Sequence, residues 1–327
     1  MSARLTERRI STVALLVNPA AGGGAGGRVA DRGEARLRSH GIEVTRLLGT
    51  SPEESAELAR QAVRGGVDAL VVCGGDGMVS LAVKAQAHTE VPVGIIPAGT
   101  GNDLARDYGI PLGDPEAAAD VVAAGLVEQV DLGRATPDGG EPQVFGSILC
   151  AGMDSQINRR VNEMRLLSGP LRYVLASVLE FPFYRPRRFR MTFDAGLPTE
   201  EVVETEVLLS AFAITRSYGG DMKIAPHADR ADGLFDVVYV GKISKLRFAR
   251  HFPKIYSGRH VGLDGVVTRR CRTVRLEVPR SEANDFKAPD VEAFADGDLV
   301  APLPVTVEIL PGAGRFLVPH KPLQPHI

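Results

Sequence analysis

Two glycine-rich segments, each directly after an apolar run, carry the residues best suited to chemistry. Residues 74–77 read Gly-Gly-Asp-Gly after the apolar run 69–73, and residues 97–103 read Pro-Ala-Gly-Thr-Gly-Asn-Asp after the run 91–96. Glycines let several backbone N–H groups approach a phosphate, and a carboxylate beside them can hold a divalent ion or its water. Loops at neighbouring strand ends would frame one crevice, where open α/β sheets bind ligands. This arrangement predicts a nucleotide polyphosphate site and phosphoryl transfer.

Each of these loops also has a simpler interpretation, as a tight turn before a helix. Asp76 could cap its helix as well as serve a phosphate site, because the helix dipole favours negative charge at that end. Taken alone, the second loop is equally a glycine turn before a helix capped by Asn102 or Asp103. The presence of the first loop favours a binding site in the second one. There, the hydroxyl of Thr100 and the amide of Asn102 could contact phosphate or ribose, and Asp103 could supply a second carboxylate near a metal.

A third glycine-rich segment, residues 18–27, follows the short apolar run 13–17. It lacks the Gly-Lys-Ser/Thr of a Walker A loop, and no acidic residue ends the second strand to bind a ribose, so neither standard nucleotide motif is present. The segment is either a flexible loop or a loop lying over a nucleotide, and its place after the first strand modestly favours the second interpretation.

Two acidic segments in the second half of the chain could also take part. Asp296-Gly297-Asp298 has the sequence of a hairpin turn. Transfer to an alcohol, however, needs a carboxylate that accepts the hydroxyl proton, and this segment is the best candidate outside the glycine loops. Residues 229–236 hold three carboxylates around a glycine, which could close a turn or bind a cation. Spacing does not decide between these interpretations.

An apolar stretch at 173–184 is followed by the basic run Arg-Pro-Arg-Arg-Phe-Arg at 185–190. A core helix followed by a solvated basic loop is the commoner interpretation. The alternative is a patch that rests on anionic lipid headgroups.

Length and composition place these motifs in an ordinary globular protein of two domains. The 327 residues are 44% hydrophobic and 24% charged, and the net charge of −2 argues against nucleic-acid binding. No apolar run is long enough for a membrane span, and the three cysteines lack metal-ligand spacing. We therefore expect a cytoplasmic protein that at most rests on a membrane surface, with buried, reduced cysteines.

The elements that must position the glycine loops form a repeating pattern up to about residue 127. Apolar strands are predicted at 13–17, 44–48, 69–73 and 91–96, and helices at 28–39, 51–64, 77–87 and 114–125. Ser51 as N-cap, Pro52 at the first helical position and Glu54 at the third form a strong helix start. Fully apolar strands separated by helices predict a parallel sheet covered on both faces.

The pattern changes after residue 129, where alternating apolar and polar residues predict half-buried antiparallel strands. Strands are predicted at 190–194, 205–215, 234–240, 273–278 and 305–309, with helices at 155–165, 170–181 and 244–257. A polar hairpin loop at 281–289 and a frayed tail at 319–327 complete the prediction. This half is expected to be a β-rich α+β unit or sandwich.

Several motifs, taken in order, are similar to those of the soluble bacterial diacylglycerol kinases, relatives of eukaryotic diacylglycerol, sphingosine and ceramide kinases. The similarity covers nearly the whole chain, and its motifs are Val17-Asn18-Pro19, 74–77, 97–103, Asp131-Leu132-Gly133, 215–220, 231–236 and 295–298. The resemblance implies an N-terminal α/β nucleotide-binding domain of the NAD-kinase and phosphofructokinase type, followed by a β-rich, sandwich-like lipid-substrate domain. It implies that residues 1–128 and a returning segment, about 310–327, form the first domain, and residues 129–309 the second.

The resemblance also implies roles for individual residues. Asp76 and Asp103 belong to a magnesium–water network at the phosphates, and Asp76 is expected to be essential. The proton acceptor is Asp298, with Asp296 beside it. A metal-site pattern falls on Asp229, Asp232 and the carbonyl of Leu234. The residues assigned to the ATP site are Asn18, Pro19, Ala20, Ala21, Gly22, Thr50, Gly74, Gly75, Asp76, Gly77, Met78, Val79, Ser80, Thr100, Asn102 and Asp103.

Two residues depart from the family pattern. Met78 stands where the family usually has threonine, so a hydroxyl is lost, although we expect its backbone N–H still to face a phosphate. Asp298 stands where glutamate is more common, which keeps the carboxylate but shortens its reach by one methylene.

The resemblance implies an ATP- and Mg²⁺-dependent lipid kinase that converts diacylglycerol to phosphatidic acid at the inner membrane surface, through transient peripheral contact. The alternatives are a kinase for another alcohol, such as a sphingoid base or NAD, and a nucleotide- or lipid-binding pseudokinase without turnover. The sequence leaves acyl-chain preference and oligomeric state open, a homodimer included.

Overall fold

The computed structural model describes residues 4–153, 155–157, 184, 186–241, 243–279 and 291–320. The chain forms two compact units. The first comprises Met1–Leu132 with Pro311–Ile327, and the second comprises Gly133–Leu310.

The first unit is built around a parallel sheet, as the sequence predicts. Its strands lie in the order β3-β2-β4-β5, where β2 is Thr12–Val17, β3 is Glu43–Leu48, β4 is Ala69–Gly74 and β5 is Val93–Pro97. β4 and β5 are buried along their whole lengths, which explains their uninterrupted apolar sequences. Two further strands pair antiparallel, β1 (Arg4–Glu7) with the first residues of β6 (Leu126–Pro137).

Six helices belong to this unit: α1 (Ala21–Gly24), α2 (Gly26–Ser39), α3 (Pro52–Arg64), α4 (Asp76–Gln86), α5 (Asp103–Asp107) and α6 (Pro115–Ala124). The predicted start of α3 is confirmed, because the Ser51 hydroxyl accepts a hydrogen bond from the Glu54 N–H at 3.2 Å. α6 begins in the same way, with the Asp114 carboxylate accepting from the Ala117 N–H at 3.0 Å.

The prediction of a continuous loop at 18–27 is wrong. α1 forms a short turn in which Gly22 and Gly23 have left-handed φ angles of 57° and 69°, and α2 begins at Gly26 rather than residue 28. A side chain at Gly26 would overlap the carbonyl oxygen of Asn18, so the chain folds back tightly at this point. The glycines of this segment predict a loop from sequence alone, whereas in the structure they allow close packing at a helix start.

The second unit is a sandwich of antiparallel strands. Its strands are β7 (Gln143–Phe145), β8 (Ile148–Gly152), β9 (Arg187–Phe193), β10 (Glu201–Val207), β11 (Leu209–Ala213), β12 (Phe235–Val240), β13 (Val266–Cys271), β14 (Thr273–Glu277), β15 (Glu292–Ala295), β16 (Asp298–Pro302) and β17 (Val305–Leu317). One sheet has the strand order β13-β12-β11-β8-β15-β16, and the other contains the order β10-β9-β14-β17. Buried residues of both sheets, among them Phe189, Phe212, Phe235 and Leu276, form one hydrophobic core.

Three details of the second unit differ from the prediction. The strand predicted at 205–215 is two strands, since the chain passes at Leu208 from β10 in one sheet to β11 in the other. The sequence does not predict β7, β8 or β13, and the basic residues from Arg187 onward lie in strand β9 rather than in a loop.

The helix predicted at 244–257 is confirmed as α7 (Lys245–His251) followed by a 3₁₀ helix (Phe252–Ser257). Most of the predicted helix 155–165, all of 170–181, the loop 281–289 and the end of the tail lie outside the described residues. Within the part of the chain that is described, the helices are too short or too polar to cross a bilayer.

Candidate active site

The two glycine loops of the first unit meet at the carboxyl ends of β4 and β5. Gly74 and Pro97 are paired in register, and the Ala98 N–H donates to the Gly74 carbonyl at 2.9 Å. A Cβ on Gly99 would overlap the Cα of Gly75, so Gly99 must be glycine for the loops to touch. The two loops that were predicted to frame one crevice therefore contact each other directly.

The segment after β2 reaches the same edge of the sheet. The Asn18 N–H donates to the Cys73 carbonyl at 3.0 Å, and the Asn18 side chain accepts from the Ala20 N–H at 3.0 Å. A Cβ on Gly22 would lie 2.7 Å from the Ala98 carbonyl oxygen. The structure thus brings all three glycine-rich segments together.

Asp76 lies where the two loops meet. It begins α4, and one of its carboxylate oxygens accepts from the Leu104 N–H at 3.2 Å, at the start of α5. Gly101 lies against the other oxygen, because a Cβ there would be 2.7 Å from Asp76 Oδ2 and 3.7 Å from Asp103 Oδ2. The carboxylates of Asp76 and Asp103 therefore face one small space beside a residue without a side chain.

Burial is the main cause, and the neighbouring Asp103 the second, of the rise in the pKa of Asp76 to about 6. Backbone N–H groups of Leu104, Asp103 and Asn102 oppose this effect. Asp103 is itself buried and pairs with Arg106 at 2.9 Å, and Arg106 also donates to the Gly101 carbonyl at 3.1 Å. Two adjacent carboxylates, one with a raised pKa, are typical of a cation or catalytic site.

We expect the Asp76→Asn variant to be more stable than wild type at pH 8, by at most about 3 kcal/mol for a pKa raised by about two units. A carboxyl whose pKa is higher in the folded state stabilises that state as it binds its proton, so wild type gains stability as the pH falls from about 7 to about 4. The variant lacks this gain. Thermal melts across this range should show its advantage shrink through pH 6 and vanish near pH 4, and a constant difference would contradict the raised pKa.

Several residues assigned to the ATP site have other partners. The side-chain amide of Asn102 bonds to both backbone groups of Gly99, at 3.0 and 2.8 Å, so it shapes the second loop, and its contact with a ligand stays a prediction. The Met78 N–H donates to the Gly75 carbonyl at 2.9 Å, and the expectation that it faces a phosphate stays a prediction. Sequence could not show either bond, because both depend on how tightly the loops turn.

The other residues assigned to the ATP site differ in their exposure to solvent. Met78, Val79 and Ser80 are buried, and Ser80 is fully enclosed. Gly77 and Thr100 are exposed at the edge where the loops meet. Thr50 is also exposed, and its N–H and hydroxyl both donate to Glu54, which closes the first turn of α3.

Gly77 leaves open space at the N-terminus of α4. A Cβ at this position would meet no atom within 4 Å, and Gly77 is not among the residues with positive φ. A valine would therefore fold without a clash and without positive-φ strain. Its side chain would fill the space that faces the first helical N–H groups, which have no acceptor within the helix.

We expect Gly77→Val to weaken ATP binding at least about tenfold, because a branched side chain blocks close approach of a phosphate to the helix N-terminus. Calorimetric titration with ATP measures this. Ala35→Val, at an exposed position of α2 outside the glycine-rich segments, is the control and should bind ATP as wild type does. Equal ATP affinities in wild type and Gly77→Val would place the phosphates elsewhere.

Asp296 and Gly297 form a two-residue hairpin turn between β15 and β16. Both have left-handed φ angles, 52° and 86°, as a type I′ turn requires. The Asp296 carboxylate accepts from the Gly146 N–H at 2.8 Å and the Ser147 N–H at 2.9 Å. Asp298 follows the turn and is exposed. The hairpin interpretation is confirmed, and the role of Asp298 as proton acceptor stays a prediction.

The segment 229–236 closes a turn rather than presenting free ligands. Asp232 accepts from the Leu234 N–H at 3.1 Å and pairs through its other oxygen with Arg270, while Asp229 accepts from the Ala231 N–H at 3.0 Å. Across the described ranges, no group of three or more His, Cys, Asp or Glu side chains is placed to hold a metal. A cation here would have to compete with Arg270, so the arrangement does not favour the predicted metal site.

The described arginines of the basic run, from Arg187 onward, lie in a strand rather than in a loop. Arg188 and Arg190 lie on β9 and face Glu204 of the neighbouring strand β10, at 3.5 and 3.9 Å. Acidic residues of β10 thus offset this charge. The sequence showed the arginines and not their cross-strand partners, which lie more than ten residues away.

Two family models match the chain. The model described as diacylglycerol kinase catalytic domain matches residues 12–135, and the model described as YegS C-terminal NAD kinase beta sandwich-like domain matches residues 147–318. A curated protein named diacylglycerol kinase from Mycobacterium tuberculosis (strain H37Rv) is 41% identical over 316 residues, covering 97% of this chain and 98% of its own. Another of that name, from Bacillus subtilis (strain 168), is 27% identical over 246 residues, covering 74% and 78%.

Solved structures show the same fold. A putative diacylglycerol kinase from Bacillus anthracis str. Sterne superposes with a TM-score of 0.77 at 20% identity, covering 97% of this chain and 100% of its own. Yeast NADH kinase complexed with NADH gives a TM-score of 0.52 at 10% identity, covering 96% and 85%. At these identities the likeness concerns the fold alone, and it confirms the predicted NAD-kinase-like α/β domain followed by a sandwich-like domain.

Proposed function

The chain belongs to the diacylglycerol kinase family and is a kinase, and from that premise we propose that it transfers the γ-phosphoryl group of ATP to the free hydroxyl of diacylglycerol. The product is phosphatidic acid. The observation that carries this proposal is the contact between the glycine loops at Gly75 and Gly99, with Asp76 placed where they meet.

The first unit supplies the nucleotide site of this proposal. The N-terminus of α4 is open at Gly77 and points backbone N–H groups and the positive end of the helix dipole at a phosphate. Residues of the segment after β2 lie at the same edge, through Asn18 and Gly22. These contacts recognise phosphate charge by backbone groups, so the loss of a hydroxyl at Met78 is compatible with binding.

Asp76 and Asp103 are the residues that would hold Mg²⁺ or its water. Their carboxylates share the space beside Gly101, and hard oxygen ligands of this kind suit that ion. Mg²⁺ bound there would neutralise the charge of the phosphates. Asp76 must lose its proton to contribute, and with a pKa of about 6 it does so at neutral pH.

Asp298 is the proposed acceptor of the proton. The hydroxyl oxygen of the lipid forms a bond to the γ-phosphorus, the bond from that phosphorus to the β,γ-bridging oxygen breaks, and the hydroxyl proton passes to the Asp298 carboxylate. Its exposure directly after the type I′ turn supports this role, because the side chain is accessible at the start of β16. Asp296 holds that turn by its two bonds to the backbone at Gly146 and Ser147.

The lipid substrate places the proposed reaction at the inner membrane surface, reached from the cytoplasm by transient contact. The test is phosphorylation of lipid dispersions that contain diacylglycerol together with a sphingoid base and ATP. Phosphatidic acid as the main product supports the proposal. If the main product is a phosphorylated sphingoid base, the substrate is the sphingoid base and not diacylglycerol. ATP binding without any lipid product would identify a pseudokinase.

A further inference from the structure

The helix α7 and the 3₁₀ helix after it have an apolar inner side and an unusual outer side. Phe248 and Ile255 are buried in the second unit, where the Phe248 and Phe252 rings lie 5.6 Å apart. On the outer side, Leu246 is 83% exposed and Tyr256 is 42% exposed. Leu246 buries little apolar surface in the folded chain. The packing of Phe248 and Ile255 therefore does not explain why a leucine occupies position 246.

The outer side is also basic. Residues 244–263 contain five lysines and arginines and no acidic residue, although the whole chain has a net charge of −2. Arg250, Lys254 and Arg259 are exposed, and none of the described carboxylates pairs with them. Arg247, by contrast, pairs with Asp264. We call Leu246, Arg250, Lys254 and Tyr256, together with Arg259 just after the 3₁₀ helix, the basic helix face.

We infer that the basic helix face docks on an anionic lipid surface. Leu246 and Tyr256 would enter the boundary between headgroups and acyl chains, while Arg250, Lys254 and Arg259 lie against the negative headgroups. An amphipathic helix with exposed apolar residues among basic ones is the standard form of such contacts. The basic run on β9 fits this role less well, because Arg188 and Arg190 face Glu204. This inference rests on the proposed function and adds the part of the protein that would contact the membrane. Its test requires no catalysis.

The test is sedimentation of the full chain with phosphatidylglycerol vesicles at low salt, with neither ATP nor diacylglycerol. Each basic residue near such a surface contributes about fivefold to binding, so Arg250→Ala with Lys254→Ala should weaken it about 25-fold. Leu246→Ser should weaken it about tenfold through lost apolar contact. The matched control, Arg188→Ala with Arg190→Ala, removes the same charge from β9 and should bind as wild type.

The outcomes separate this inference from its alternatives. Wild-type binding by the Arg250 and Lys254 variant, or an equal loss in the β9 control, would overturn it. If only the charge variant is impaired and Leu246→Ser binds normally, the face recognises charge alone, as an acidic protein would supply, and the lipid assignment is wrong. Phosphorylation of a short-chain, monomeric diacylglycerol should be unchanged in all variants, so failure of docking and failure of the proposed kinase reaction are read separately.

Discussion

The Asp76→Ala variant should fold normally and lose essentially all phosphoryl transfer. Asp76 is placed between the two glycine loops, and its carboxylate shares the space beside Gly101 with that of Asp103. Without it, the site keeps one carboxylate, and that one is already paired with Arg106. We expect turnover to fall below about a thousandth of wild type, the scale on which loss of electrostatic stabilisation acts.

A thermal melt at neutral pH decides whether this loss concerns the site or the fold. Alanine removes the acceptor for the Leu104 N–H at the start of α5, which costs about 1 kcal/mol, but it also removes a carboxylate that burial disfavours. The melt should therefore stay within a few degrees of wild type. Asp114→Ala is the matched control, because it removes a capping carboxylate from α6 and should keep its activity. Near-normal turnover in folded Asp76→Ala would remove Asp76 from the mechanism.

The Asp298→Asn variant should reduce turnover on diacylglycerol at least about a hundredfold, the usual scale for loss of a general base, with ATP affinity nearly unchanged. The amide keeps the shape of the side chain but cannot accept the hydroxyl proton. Asp298→Glu should retain part of the activity, because glutamate restores the carboxylate one methylene further out. Steady-state kinetics on both variants, together with ATP titration, measures these effects.

Two other carboxylates serve as controls for this assignment. Asp296→Asn should have a smaller effect on turnover, since Asp296 acts through the turn that it holds against Gly146 and Ser147. Asp138→Asn, which changes an exposed carboxylate paired with Arg275, should keep full turnover. If Asp298→Asn is as active as Asp138→Asn, the segment 296–298 is a hairpin turn alone and the base lies elsewhere.

The fold of the first unit could be predicted from local sequence because each signal acts over a few residues. Apolar strands, the capping pattern from Ser51 to Glu54 and the N-cap Asp114 each determine an element by themselves. The contact between the glycine loops follows from the same logic, because consecutive parallel strands place their carboxyl ends at one edge.

The partners of the polar side chains could not be predicted in this way. Arg270, which pairs with Asp232, lies 38 residues away and reaches it through the pairing of β12 with β13. The backbone of Gly146 and Ser147, held by Asp296, is about 150 residues away. Arg106 is the exception, because its spacing of three residues from Asp103 places both on one side of a helix and could have indicated the pair.

The proposal that this chain makes phosphatidic acid is tested most directly with radiolabelled ATP and a total lipid extract. Wild type should transfer label to one lipid that migrates with phosphatidic acid, and Asp298→Asn should yield at least about a hundredfold less of it. Label in a different lipid, or no labelled lipid from a protein that binds ATP, would contradict the account.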